Sequence, residues 1–89
     1  MSWKIELEKN VIKKLRKMDS TAKKRITKFI DALEGSKDPR EKGAALTGKL
    51  GEYWKYRIGE YRLIVKIFDD RLIIVVVKVG NRKDIYRKK

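Results

Sequence analysis

Lys55, Arg57 and Arg62 flank Gly59-Glu60 in the run Tyr53-Trp54-Lys55-Tyr56-Arg57-Ile58-Gly59-Glu60-Tyr61-Arg62-Leu63-Ile64-Val65. A two-residue break with Gly first, set between alternating strands, predicts a hairpin closed by a type II′ turn. That loop length pairs Ile58 with Tyr61, Arg57 with Arg62, Tyr56 with Leu63 and Lys55 with Ile64. Like charges directly opposite on antiparallel strands cost on the order of tenths of a kcal/mol. A face that gathers cations at that cost suits an anion. Scission of an RNA phosphodiester needs a deprotonated 2′-oxygen, stabilisation of charge on the phosphoryl oxygens and a proton for the leaving 5′-oxygen. Guanidinium forks answer the second need. A lysine crowded by arginines releases its proton more readily than an isolated one, which makes Lys55 a candidate base.

The same alternation puts Trp54, Tyr56, Ile58, Tyr61, Leu63 and Val65 on one face of the hairpin. Tyr53, Lys55, Arg57, Arg62 and Lys66 share the other, with Ile64, Val75 and Val77 as an apolar floor. Arg82 and Tyr86 in the basic tail can fold over that floor, and Tyr86 can stack on a base or orient the attacking hydroxyl. Plain solvation is the competing account. Lysines and arginines on an exposed sheet face ordinarily meet water, and so do Lys13, Lys14, Arg16, Lys17, Lys24, Arg25 and Lys28 on the helices, unless those help to hold RNA.

The elements that must position these residues are legible from periodicity. Residues 2–7 alternate, with Trp3, Ile5 and Leu7 on one side, as in a half-buried strand. Val11, Ile12, Leu15 and Met18 fall at helical spacing over 9–18. Asp19-Ser20-Thr21 offers caps for a second helix with the stripe Ala22, Ile26, Phe29, Ile30 and Leu33, which Gly35 stops ahead of Pro39. Residues 36–51 read as a loop anchored by Leu46 and Leu50. Strands follow at 52–58, 61–68 and 71–79, the last two joined by Asp69-Asp70, and Gly80 ends the last strand before a basic tail. Strand 71–79 is apolar on both faces, which favours a central place. The expected fold is α+β: a four-stranded, mainly antiparallel sheet in the order 1-4-3-2, with an N-terminal helical hairpin packed on one face.

At 89 residues the chain reads as one domain, 1–89, with a modest core. Lys and Arg number 25 against 12 Asp and Glu, a formal charge of +13. Such a field attracts polyanions, nucleic acid first, with strongly salt-dependent affinity. There is no cysteine and no histidine, so disulfides and thiolate sites are excluded, and the usual neutral-pH base and commonest metal ligand are missing. Neither metal nor cofactor is expected. No apolar run approaches the ~18 residues of a membrane span, and a cytoplasmic location is the expectation.

The run Trp54 to Ile64 followed by Val79-Gly80-Asn81-Arg82-Lys83-Asp84-Ile85-Tyr86-Arg87 resembles the RelE/ParE toxin superfamily. The order of strand, two helices, three strands and basic tail is similar too, over essentially the whole chain. On the RelE branch the resemblance implies the toxin of a type II toxin–antitoxin pair that cleaves mRNA in the ribosomal A site. Its partners would be mRNA, ribosomal RNA and a cognate antitoxin. It matches Lys55 to a proposed proton acceptor, Arg62 to the arginine that stabilises the phosphate transition state, Arg82 to one that assists the leaving group, and Tyr86 to one that stacks on or orients the nucleotide. Those four are the expected catalytic set, with Tyr53, Arg57, Lys66, Lys83 and Arg87 as RNA contacts. Tyr53 departs from the pattern, since relatives often carry a further lysine there, and the tail is shorter between Arg82 and Tyr86. A gyrase-poisoning toxin of the ParE kind and a plain RNA-binding module are the alternatives.

Overall fold

A computed structural model describes residues 3–45 and 53–81. The elements are β1 (Lys4–Leu7), α1 (Lys9–Lys17), α2 (Ser20–Glu34), a 3-10 turn at Pro39–Glu41, β2 (Ala44–Ala45), β3 (Tyr53–Ile58), β4 (Tyr61–Phe68) and β5 (Ile73–Asn81). They build one five-stranded sheet in the order β1-β5-β4-β3-β2. β1 runs parallel to β5, and every other pair is antiparallel.

This corrects the expected fold class in three respects. The sheet has five strands, because Ala44 and Ala45 pair with Lys55 and Trp54. Two alanines carry neither strand propensity nor a period, so nothing in their identity signals a strand. The sheet is mixed: hydrophobic alternation records which side of a strand is buried, not its direction, and the helices with the β3–β4 hairpin supply ample chain for a parallel crossover. Finally, the helices do not form a hairpin packed as a unit. Met18 and Asp19, between them, are both extended (ψ 152° and 156°), and each helix rests chiefly on strands, α1 on β5 and α2 on β1 and β3.

Local chemistry accounts for the helices. The Asp19 side chain accepts from the Ala22 amide at 3.4 Å and caps α2. Val11, Ile26, Ile30 and Leu33 point inward onto Tyr56, Leu63, Val65, Ile74, Val76 and Val79. Ile12 stays exposed. β1 is tied in at both ends, by Lys4 N–H to the Leu72 carbonyl (2.9 Å) and Glu8 N–H to the Val76 carbonyl (3.1 Å). The β4–β5 connection spans 69–72, longer than the Asp69-Asp70 turn expected, and Leu72 sits at φ 55°.

The segment that carries β2 is clamped to β3 from the core side. The Tyr56 hydroxyl donates to the Pro39 carbonyl at 2.6 Å, and Trp54 Nε1 donates to the Lys42 carbonyl at 2.6 Å. Phe29 packs on the Tyr56 ring with centroids 5.0 Å apart. Arg40 lies 5.9 Å over the Trp54 ring and reaches Asp69 through two hydrogen bonds of 2.8 and 2.9 Å, which hold the Asp69 carboxyl below the usual carboxylate range. Gly43, at φ +81°, lets the backbone come against β3, where any Cβ would collide with the Lys55 carbonyl oxygen. Leu46 and Leu50, the expected anchors, lie outside the described residues. No helix among the described residues is long and apolar enough to cross a membrane.

Gly43→Ala combines positive φ with overpacking, a loss of about 2–4 kcal/mol. Its thermal midpoint should fall by roughly 10 °C or more for a domain of this size, and an unchanged melt would disprove the clamp. Burial pushes the Tyr56 hydroxyl up to about 12, with Arg40 pulling the other way. The unfolded chain therefore ionises this group first as pH rises past about 10, so the stability it contributes is present below pH 10 and lost toward pH 12. Tyr56→Phe should be less stable by about 1–2 kcal/mol at pH 7, where the Pro39 carbonyl loses its partner. That gap should narrow above pH 10 in denaturant titrations of the two proteins. A gap independent of pH would contradict the assignment.

Candidate RNA-binding site

The site is built on the β3–β4 hairpin. Gly59 has φ +61° and Glu60 has none of the positive φ that a type I′ turn needs, so the turn is type II′. The ladder pairs Ile58 with Tyr61, Arg57 with Arg62, Tyr56 with Leu63, Lys55 with Ile64, Trp54 with Val65 and Tyr53 with Lys66. Loop length and turn type set this register, and the side chains follow by alternation. Tyr56, Leu63 and Val65 are fully buried under the helices. Tyr53, Lys55, Arg57, Arg62 and Lys66 share the opposite face.

On β5 that face differs from the expected one. The register shifts between Ile64 and Val65: Val65 pairs with Val76, Ile64 with Lys78, and Val77 has no ladder partner. This β-bulge turns the strand by one residue. Val79 then lands in the core and Lys78 joins the cationic face. Val77, expected in the apolar floor with Ile64 and Val75, is the bulged residue, and its carbonyl accepts from the Asn10 side chain at 3.2 Å. A signal for this was present in the sequence. Strict alternation from Ile74 and Val76 assigns Lys78 to the buried face, and a lysine there demands a change of phase.

The outer face thus holds three rows across the strands: Tyr53, Lys66 and Val75; Lys55, Ile64 and Lys78; Arg57, Arg62 and Gly80. Arg57 is exposed, while Arg62 retains only 6% of its accessible surface. Arg62 Nη1 donates to the Tyr61 carbonyl at 3.3 Å. Among the described residues no side-chain nitrogen or oxygen is both inaccessible and unpaired. The Arg62 guanidinium carries further N–H donors of the kind that bind an anion. The Lys66 ammonium lies 5.6 Å from the Tyr53 ring centroid and 5.6 Å from that of Phe68, which fixes its position over the sheet. The two ion pairs between described residues are Arg40–Asp69 and Arg71–Asp70, and the Arg71 guanidinium lies 5.2 Å from the centroid of the Phe68 ring that also meets Lys66.

Five of the nine expected site residues, Lys55, Arg62, Tyr53, Arg57 and Lys66, share this surface. Arg82, Lys83, Tyr86 and Arg87 lie outside the described residues. β5 ends at Asn81, opposite Tyr61, next to the Arg57–Arg62–Gly80 row. The arrangement can bind a phosphodiester and stabilise added negative charge on its oxygens.

Comparison with known proteins gives the family. The family model described as the ParE toxin of the type II toxin–antitoxin system parDE matches residues 5–86. The chain is 31% identical over 90 residues to the RelE1 protein of Methanocaldococcus jannaschii, covering 98% of each. It is 28% identical over 85 residues to the mRNA interferase toxin RelE of Escherichia coli K12, covering 93% of this chain and 86% of the relative. The archaeal RelE–RelB complex from Pyrococcus horikoshii OT3 aligns with TM-score 0.76 at 29% identity, over 92% of this chain and 97% of that one. The RelBE2 toxin–antitoxin complex of Mycobacterium tuberculosis shares the fold with TM-score 0.82 at 22% identity, over 92% of this chain and 100% of that one. With the family model and a full-length relative both matched, the chain belongs to the RelE/ParE toxin superfamily of type II toxin–antitoxin systems, on its RelE-like branch.

Proposed function

We propose that this toxin is a ribosome-dependent endoribonuclease that cuts mRNA in the A site. The observation that carries the reading is the cationic face, with Lys55 and the buried Arg62 two residues apart in register on adjacent strands. Similarity to a protein named an mRNA interferase supports it.

In this mechanism the phosphate lies over the Arg57–Arg62 row. Lys55 accepts the proton of the 2′-hydroxyl, and the 2′-oxygen attacks the adjacent phosphorus. Arg62 holds the phosphoryl oxygens as charge grows on them; its burial strengthens that interaction and fixes the guanidinium beforehand. Arg57, Lys66 and Tyr53 hold the strand. Arg82 assists departure of the 5′-oxygen and Tyr86 orients the nucleotide, roles carried over from the resemblance. Lys83 and Arg87 add phosphate contacts. The bond from the 2′-oxygen to phosphorus forms as the bond to the 5′-oxygen breaks, and the departing 5′-oxygen takes a proton from solvent, which leaves a 2′,3′-cyclic phosphate and a 5′-hydroxyl end. The ribosome supplies a fixed conformation of the mRNA and excludes competing orientations.

A cognate antitoxin follows from the same surface. A formal charge of +13 is best neutralised by an acidic segment laid along the cationic face, and the aligned structures from P. horikoshii and M. jannaschii are toxin–antitoxin complexes.

Arg62→Gln keeps most of the aliphatic stem and should lower cleavage about 10²–10³-fold, the usual cost of losing a transition-state donor. Mapping transcript ends in a translating extract reads this out. Cuts inside codons, present only with ribosomes and lost in the variant, are the expected result. Cleavage at the wild-type rate would remove Arg62 from the mechanism, and intact transcripts with double-strand DNA breaks would replace the reading with gyrase poisoning. For the partner, calorimetry with the product of the adjacent reading frame should show binding that weakens steeply from about 50 to 200 mM salt, with protection from growth arrest. A product that neither binds nor protects would refute the antitoxin assignment.

A further inference from the structure

We infer that Lys78 is a substrate-contact residue that binds a phosphate of single-stranded RNA alongside the one held by Arg62. This assignment deepens the proposed function and rests on it. Lys78 stands directly across from Ile64, whose other neighbour is Lys55, so two ammonium groups bracket one apolar residue. Lys78 is also the diagonal neighbour of Arg62, which pairs with Gly80. Diagonal neighbours lie about 7–8 Å apart, within reach of long side chains. Gly80 places no side chain between them.

The bulge gives the placement its weight. In a regular ladder running on from the Val65–Val76 pair, Leu63 would face Lys78, and the ammonium would enter the core. Burying it there would cost several kcal/mol. Inserting Val77 instead puts Lys78, an exposed residue, among the cations, while Val76 and Val79 on either side remain buried. The carbonyl released by the bulge is bound by Asn10 at the start of α1, and the Val76 carbonyl by the Glu8 amide. The backbone at the bulge, just before Lys78, is thus held by contacts from a second element. An ammonium binds phosphate as a point charge through three rotatable donors, without the planar geometry Arg62 requires. Lys78 accordingly contributes to holding the strand and takes no part in proton transfer.

The test is fluorescence anisotropy of a short labelled single-stranded oligoribonucleotide, titrated between about 50 and 200 mM salt, with Lys78→Gln, Lys78→Arg, Lys37→Gln and Arg62→Gln. Lys37 is exposed and distant in sequence from the hairpin, and serves as the charge-matched control. Lys78→Gln should weaken binding about fivefold at the lowest salt and reduce the slope of log K against log salt by about 0.7, one phosphate contact on a single strand. Lys78→Arg should keep the slope, and Lys37→Gln should leave it unchanged. A Lys78→Gln slope equal to that of Lys37→Gln, with the Arg62→Gln slope reduced, overturns the Lys78 assignment and leaves the RNA site standing. Equal slopes for all three glutamine variants overturn both. Thermal melts of each variant confirm that the slopes compare folded proteins.

Discussion

A strand in this sheet has one side under the helices and the other turned away from them, and a shift of a single residue exchanges them. The molecule depends on where β5 makes that shift. Up to Val76 its inward residues are Ile74 and Val76; beyond the bulge the inward residue is Val79. Without the change of phase, the core would receive a lysine and the outer face would lose one. The bulge therefore serves packing and electrostatics together. It is held from outside the strand, by Asn10 and by the amide of Glu8, so the start of α1 helps to set the composition of a face it does not touch.

Concentrating cations opposes folding. Arg57 and Arg62 face each other across the ladder, and Arg62 is mostly buried. Their repulsion is tenths of a kcal/mol at an exposed pair and larger where water is excluded. The opposite side of the same strands supplies the compensation. Tyr56, Leu63 and Val65 are fully buried, and Tyr56 adds a hydrogen bond and a ring contact that tie β3 to the segment before β2 and to α2. Each strand of the hairpin thus alternates between a residue that stabilises the fold and a residue that prepares the surface. The destabilised surface is the one an anionic ligand or an acidic partner would relieve, which links binding and stability in a single element.

The helix layer and the sheet divide labour differently from what periodicity alone suggests. Both helices show an inward stripe, yet each rests chiefly on strands, because the extended Met18-Asp19 link lets each follow its own part of the sheet. The edge strand β2 arises from contacts made to it: the Trp54 and Tyr56 side chains seize the carbonyls of Lys42 and Pro39, and Gly43 permits the approach.

The sequence by itself determined whatever rests on neighbouring residues: the hairpin register, through a two-residue loop with Gly59; the cap at Asp19; and, by alternation, the gathering of Tyr53, Lys55, Arg57, Arg62 and Lys66 on one side. Tertiary structure alone decided whatever rests on residues far apart in the chain. Ala44 and Ala45 became a strand because β3 offered an edge, β1 ran parallel because the crossover over the sheet allowed it, and Lys78 turned outward because Leu63 and Val79 had to meet. Local propensity and period are properties of a segment; the phase of β5 and the fifth strand are settled by the free energy of the whole core, in which no short window of residues takes part alone.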